Sequence, residues 1–411
     1  MKKVLIVGAG GQGGPCASIL SRDKDVTEIV LGDIDIELAN KVKNKINSDK
    51  ITTVKLDAGK VEDIKNAAGG ADVIINLTLV QFNDNIRQAA VESGAHYVDT
   101  AMDYPLITQL PEKGAPEIDS KFKEAGLTAL IGCGGSPGIT NVLARYTCDK
   151  LDRVDEIRIR LGGKRLEESK EVVSAWEPGW CPEIAISDYA FPPPVFENGK
   201  PQVYPIFSGC EEYAFPDPVG TVVVTYHAHE EVVMLPRFIG KGIKYCAFKF
   251  PLDPIAGALV KMGFAERKAI DVKGVKVTPI DVLMKLVRHP VDTFLSEDEN
   301  AAKLPPEEVG LCVVEIKGAK AGEDTTYKLS WPYQLFTTVE EKVKVYQKFG
   351  TTNIAVALPA SVGAKMCVAG EAERGLIGPE CLDPTKFLKM MADMGWPVKF
   401  HEECSKQVSV C

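Results

Sequence analysis

The densest group of proton-handling side chains in this chain is Tyr226-His227-Ala228-His229-Glu230-Glu231. Two histidines spaced two apart share one face of an extended strand, and two carboxylates follow at once. Histidine changes charge near neutral pH, so the cluster suits proton transfer. His229 is the first candidate for acid/base work and His227 the second, with Glu230 as a substrate contact. The bland alternative is a pair of hydrogen-bonded surface histidines. No metal site is expected, because a third ligand at motif spacing is missing and HExxH does not occur.

A second constellation lies at the start. Gly8-Ala9-Gly10-Gly11-Gln12-Gly13 follows the apolar run Val4–Val7 and precedes a helical pattern. In a GxGxxG turn the first glycine makes the bend and the second lets backbone approach a pyrophosphate. The third lets helix and strand pack closely, and the helix N-terminus offers unpaired N–H groups to the phosphates. Asp33 ends the second strand pattern, where a carboxylate can accept both ribose hydroxyls of NAD. Asp57-Ala58 and Asn76 end the third and fourth. The expected cofactor-binding set is therefore Gly8, Gly10, Gly11, Gln12, Gly13, Asp33, Asp57, Ala58 and Asn76. A carboxylate at Asp33 repels the 2′-phosphate of NADP, and no arginine follows in Asp33-Ile34-Asp35-Ile36. NAD is the expected cofactor, with NADP as the alternative.

Further candidates lie downstream. Asp99 and Asp103 follow the fifth strand, at the edge where open α/β sheets bind ligands. Asp103 is assigned proton transfer and Asp99 a substrate contact; a loop cap is the plain alternative for each. Cys133 could touch substrate or nicotinamide, although buried cysteine is more often an apolar filler. Arg237 is the first choice for a substrate carboxylate, with a surface ion pair as its alternative. Asn141 follows a Pro-Gly turn that could aim a helix N-terminus at the same carboxylate. Trp176 and Trp180 could exclude water from the reaction, or simply pack.

These residues need a scaffold, and the alternation of short apolar runs with helical patterns supplies one. Repeated β-α-β order over the first third predicts a Rossmann-type doubly wound parallel sheet. From about residue 150, alternation such as Ile157-Arg158-Ile159-Arg160-Leu161 predicts an α+β domain with a mainly antiparallel sheet. A hairpin joins Leu311–Ile316 to the Tyr327–Trp331 strand through 318–324, and 176–220 reads as a long ordered loop. The expected domains are 1–145, completed by 350–400 through an apolar helix at Ile354–Val368, and 146–349.

Composition sets the outer bounds. A chain of 411 residues with 45% apolar and 26% charged side chains has globular proportions, and exceeds the size of one ordinary core. A net charge of −9 without a basic run disfavours nucleic acid and anionic membranes as partners. The basic start precedes an apolar run too short for a signal peptide, and no run is long enough to span a membrane. Eleven scattered cysteines without CxxC fit reduced thiols. The expectation is a cytoplasmic enzyme, a homodimer joined through its second domain, acting on a small molecule.

Three motifs carry a family likeness. Gly132-Cys133-Gly134-Gly135-Ser136-Pro137-Gly138-Ile139-Thr140-Asn141 resembles the G-x-x-PG-x-x-N turn of the saccharopine dehydrogenase-like family, which includes saccharopine reductases and lysine 6-dehydrogenases. Tyr226–Glu231, running on to Pro236-Arg237, resembles the segment that presents the family's substrate domain to the cofactor cleft. Gly375-Leu376-Ile377-Gly378-Pro379-Glu380 resembles its C-terminal tail. Length and layout are similar to the lysine 6-dehydrogenases, whereas Trp176-Glu177-Pro178-Gly179-Trp180 resembles the saccharopine reductase branch. The resemblance implies hydride transfer between an amine-bearing carbon and C4 of a nicotinamide. The leading expectation is an NAD(P)-dependent dehydrogenase acting on the C–N bond of an amino-acid substrate, most simply oxidative deamination of lysine. Saccharopine chemistry and a non-catalytic dinucleotide sensor are the alternatives, and carboxylated spermidine precursors stay open as substrates.

Overall fold

The computed structural model describes residues 1–102, 115–165, 176–306 and 308–407. Seven parallel strands form the first sheet: β1 (Lys3–Val7), β2 (Glu28–Asp33), β3 (Ile51–Lys55), β4 (Val73–Asn76), β5 (His96–Asp99), β6 (Thr128–Leu130) and, from far along the chain, Gly375–Ile377. Their order is Gly375–Ile377, β6, β5, β4, β1, β2, β3. Strands such as Val4–Val7 and Val73–Asn76 are buried on both faces, which explains their unbroken apolar runs. The order reverses at β1, so a crevice opens beyond the carboxyl ends of β1 and β4.

The glycine turn leads from β1 into the helix Gly13–Ser21. A Cβ on Gly13 would stand 1.8 Å from the Gly8 carbonyl oxygen, so only glycine lets the helix start so close to the strand. On the same face of the sheet the helix Ala357–Ala369 packs against Gly13–Ser21 and against β4 and β5. It is built of small residues, and a Cβ on Gly363 would meet Cys133 Sγ at 2.6 Å.

The second sheet has nine strands. In chain order they are β7 (Arg153–Arg165), β8 (Pro194–Glu197), β9 (Lys200–Val203), β10 (Glu211–Phe215), β11 (Gly220–Tyr226), β12 (Tyr245–Pro251), then Glu308–Lys320, Glu323–Pro332 and His401–Gln407. Every pairing is antiparallel except that of β7 with β12. The expected hairpin is present but longer, because its turn is only Ala321-Gly322. Both residues take positive φ, 53° and 83°, which gives the twist of a two-residue hairpin.

The stretch 176–220 is not one long loop. It contains the helix Pro182–Ala190, opened by a proline in its first turn, and strands β8, β9 and β10. Asn198-Gly199, with φ of 52° and 87°, is the two-residue turn between β8 and β9. No helix among the described residues is long and apolar enough to cross a membrane.

Candidate active site

The dinucleotide half is built at the switch point. Asp33 ends β2 with its Oδ2 accepting the Ala9 N–H at 2.7 Å and its Oδ1 accepting the Asp35 N–H at 2.9 Å. The carboxylate is thereby locked beside the glycine turn, with lone pairs left for further donors. Asp57 lies half-buried after β3, and the Gly59 N–H and Lys60 hold its carboxyl below the usual range. Ala58 is buried next to it, its carbonyl accepting from Asn85 at 3.2 Å. Asn76 donates to Asn83 and Tyr97 and accepts twice from Thr78, so its side chain braces the end of β4.

The turn fits a dinucleotide. A Cβ position on Gly10 has nothing within 4 Å, an open cradle above the loop. Among the described residues the backbone N–H groups of Gly10, Gly11 and Gln12 donate to no protein acceptor. Gln12 Oε1 is also buried without a donor. Such groups are satisfied by phosphate and hydroxyl oxygens.

The second half comes from the other sheet. The segment His227–Glu230 leaves β11 and docks on the carboxyl edge of β5 and β6. These strands are two and three positions from β1, about 10–14 Å at ordinary strand spacing. Two hydrogen bonds fix the docking: Glu230 Oε1 accepts the Met102 N–H at 3.0 Å, and Glu231 Oε1 accepts the Ser136 hydroxyl at 2.5 Å. Glu231 is fully buried.

His229 sits at the centre. Its Nδ1 is hydrogen-bonded to Glu231 Oε2, Glu230 Oε2 is 3.5 Å away, and its ring stacks on Phe248 at 3.8 Å between centroids. Burial alone would lower its pKa. The carboxylates of Glu231, Glu230 and Asp188 outweigh that and raise it to about 9. The imidazole is therefore protonated at neutral pH, with Nε2 left to address a ligand. His227 is the opposite case: burial, and then the charge of His229, push it down to about 3. It lies between Tyr189 and Phe250, at 4.8 and 4.9 Å, as a neutral ring in an aromatic wall.

Beneath this pair lies a layer of buried carboxyls. Asp99 Oδ1 accepts the Gly132 N–H at 2.7 Å and its Oδ2 accepts the Tyr97 hydroxyl at 2.8 Å; burial lifts it to about 7 despite Arg87 at 3.9 Å. Glu380, also lifted to about 7 by burial, accepts from Asn141 at 3.0 Å. The Asn141 oxygen in turn accepts the Gly138 N–H. Asn141 thus ties the 132–138 turn to the returning C-terminal segment.

Several candidates lie apart from the His229 group. Arg237 is exposed on the last turn of the helix Glu231–Ile239, over the Phe238 ring. The Cys133 thiol is buried and faces the Pro359 carbonyl at 3.4 Å, and burial raises its pKa well above the usual value. Trp176 is buried with Nε1 donating to Asp253 at 3.1 Å, in a cluster with Tyr189 and Trp180. Asp103 lies outside the described residues, immediately after Met102. Two contributors were not singled out from sequence: Ser136, which orients Glu231, and Asp188 on the helix Pro182–Ala190. Burial and the Glu230 charge raise the Asp188 carboxyl well above its usual range.

Two family models cover almost the whole chain. The saccharopine dehydrogenase NADP binding domain matches residues 4–130, and the saccharopine dehydrogenase C-terminal domain matches residues 134–396. The chain belongs to the saccharopine dehydrogenase family. As a member of that family it is an NAD(P)-dependent oxidoreductase. It is 27% identical over 416 residues to carboxyaminopropylagmatine dehydrogenase of Synechocystis sp., covering 98% of each chain. It is 26% identical to carboxynorspermidine synthase of Vibrio alginolyticus, covering 96% of each. Apo saccharopine dehydrogenase (L-Glu forming) from Saccharomyces cerevisiae shares the fold at a TM-score of 0.67, with 16% identity, over 98% of this chain and 100% of that one.

Proposed function

We propose that this saccharopine dehydrogenase family member makes or breaks the secondary C–N bond of a carboxylated polyamine. The observation that carries this reading is the convergence of Asp188, Glu230 and Glu231 on the single imidazole of His229. Asp188, Glu230 and Glu231 gather several acceptor oxygens beside one charged imidazole, which suits a substrate with ammonium donors beyond its reacting nitrogen. The names of the two full-length relatives, carboxyaminopropylagmatine dehydrogenase and carboxynorspermidine synthase, both describe a carboxyl-bearing polyamine.

A bound nicotinamide supplies hydride acceptance or delivery at the carbon next to that nitrogen. His229 holds the proton that is exchanged at the nitrogen through Nε2, and Glu231 stabilises its charged form. Asp188 and Glu230 face the cationic part of the substrate. Asp103, next to the anchored Met102, is a further proton-transfer candidate. Asp33 favours NAD over NADP through the ribose hydroxyls. Residues 1–145 with 350–400 form the dinucleotide domain and 146–349 the substrate domain, through which a homodimer forms.

Oxidative deamination of lysine is the second reading, favoured by the same acid cluster, because lysine also presents an ammonium far from its carboxylate. A rate panel separates the two. Carboxylated polyamines, saccharopine and lysine are offered with NAD and NADP, and products are identified by mass spectrometry. The proposal expects kcat/KM for a carboxylated polyamine to exceed that for lysine by about tenfold or more. Ammonia release from lysine at the higher kcat/KM would overturn it.

A further inference from the structure

We infer that Asn353 is a positioning residue for the dinucleotide: it turns the Gly11-Gln12 peptide so that the Gln12 N–H faces the pyrophosphate. This rests on the dinucleotide site and is independent of which amine is turned over.

The inference starts from a short loop that reaches the glycine turn from the far end of the chain. The helix Val339–Phe349 stops at Gly350, which takes a left-handed conformation, and Thr351-Thr352-Asn353 follows. Three contacts immobilise this loop. Thr351 Oγ1 accepts the Asn353 N–H at 3.1 Å. Buried Glu297 accepts the Thr352 N–H at 2.9 Å and the Thr352 hydroxyl at 2.5 Å through one oxygen. Beyond Asn353, the loop is wedged against the second glycine turn, where a Cβ on Gly135 would stand 3.0 Å from the Ala355 carbonyl.

Held this way, the Asn353 amide grips the first glycine turn twice. Its Nδ2 donates to the Gly11 carbonyl at 3.1 Å, and its Oδ1 accepts from Gln12 Nε2 at 3.3 Å. In a trans peptide the C=O of one residue and the N–H of the next point in opposite directions. Pinning the Gly11 carbonyl towards Asn353 therefore aims the Gln12 N–H the other way. Among the described residues that N–H has no protein acceptor, and Gly10 beside it leaves its Cβ position open. A preset donor avoids ordering the loop at the moment of binding. The contribution is invisible to a glycine-motif reading because the residue responsible lies 341 positions from Gln12.

The test reads dinucleotide binding separately from turnover. N353D is nearly isosteric, loses the donor to Gly11 and turns a carboxylate towards its carbonyl. Calorimetric titration with NADH is expected to give a Kd about tenfold or more higher for N353D. Where a substrate is turned over, N353D raises KM for dinucleotide and leaves KM for the amine unchanged. In the unaltered protein, 15N-glutamine labelling follows the Gln12 amide directly, and NADH is expected to slow its hydrogen exchange. An unchanged Kd in folded N353D, or a Gln12 amide that exchanges equally fast with and without NADH, would overturn the assignment.

Discussion

Glu231 bridges His229 and Ser136, one oxygen on the imidazole Nδ1 and the other on the hydroxyl, and so links the two sheets through the candidate proton carrier. Replacing His229 with Gln should lower kcat by about 10²–10⁴-fold, the usual worth of a positioned acid or base. Steady-state rates on the preferred amine check this, with circular dichroism confirming the fold.

The raised pKa of His229 has a pH consequence. Its charged form is held by Glu231 and Glu230 up to about pH 9. Stability gained from that ion pair is fully present below the ordinary histidine value of 6.5 and is lost as pH rises through about 9. In the direction that needs His229 as an acid, the rate should likewise fall above about 9. E231Q removes its main partner, so the descending limb should move to lower pH. A pH–rate profile of both proteins measures the shift.

His227 predicts the opposite behaviour. Already neutral because its pKa is depressed to about 3, it titrates nothing near pH 7. H227Q should leave the shape of the pH–rate profile unchanged. Any loss of rate should trace to the wall it forms with Tyr189 and Phe250.

Glu380 offers a stability test. Its carboxyl is raised from 4.5 to about 7 by burial, so the protonated form is the one the fold prefers. That preference is fully present below 4.5 and is lost as pH rises through about 7. E380Q should therefore gain stability relative to the parent on going from acid to mildly alkaline pH, by up to roughly 3 kcal/mol. Thermal unfolding at a series of pH values reads this difference.

Cofactor choice is tested at Asp33, whose side chain already clasps the Ala9 N–H at the glycine turn. D33A should weaken NAD binding and lower the NAD over NADP preference by about tenfold, through lost ribose contacts and lost charge repulsion. Titrations with both dinucleotides measure it.

What the sequence made legible was local. The glycine turn, the strand-end Asp33 and the His–Glu string each lie within a few residues whose spacing has a direct geometric meaning. The partners that complete them do not. Ser136 reaches Glu231 across 95 positions and Glu230 reaches Met102 across 128, and no periodicity records such contacts. The Asn198-Gly199 hairpin was readable in principle, but the surrounding prolines and aromatics masked the short strands. Arg237 looked suited to a carboxylate by type and neighbourhood. Helix geometry instead carries it round to the exposed face, because it lies six residues after the buried Glu231.

The most direct test of the account is to follow a label. Reductive turnover with NADH carrying deuterium at C4 of the nicotinamide should yield a carboxylated polyamine with one deuterium on the carbon bonded to the secondary nitrogen, seen by tandem mass spectrometry. H229Q should slow its appearance without moving the label. Dinucleotide binding without any labelled amine product would contradict the account and leave a dinucleotide sensor in its place.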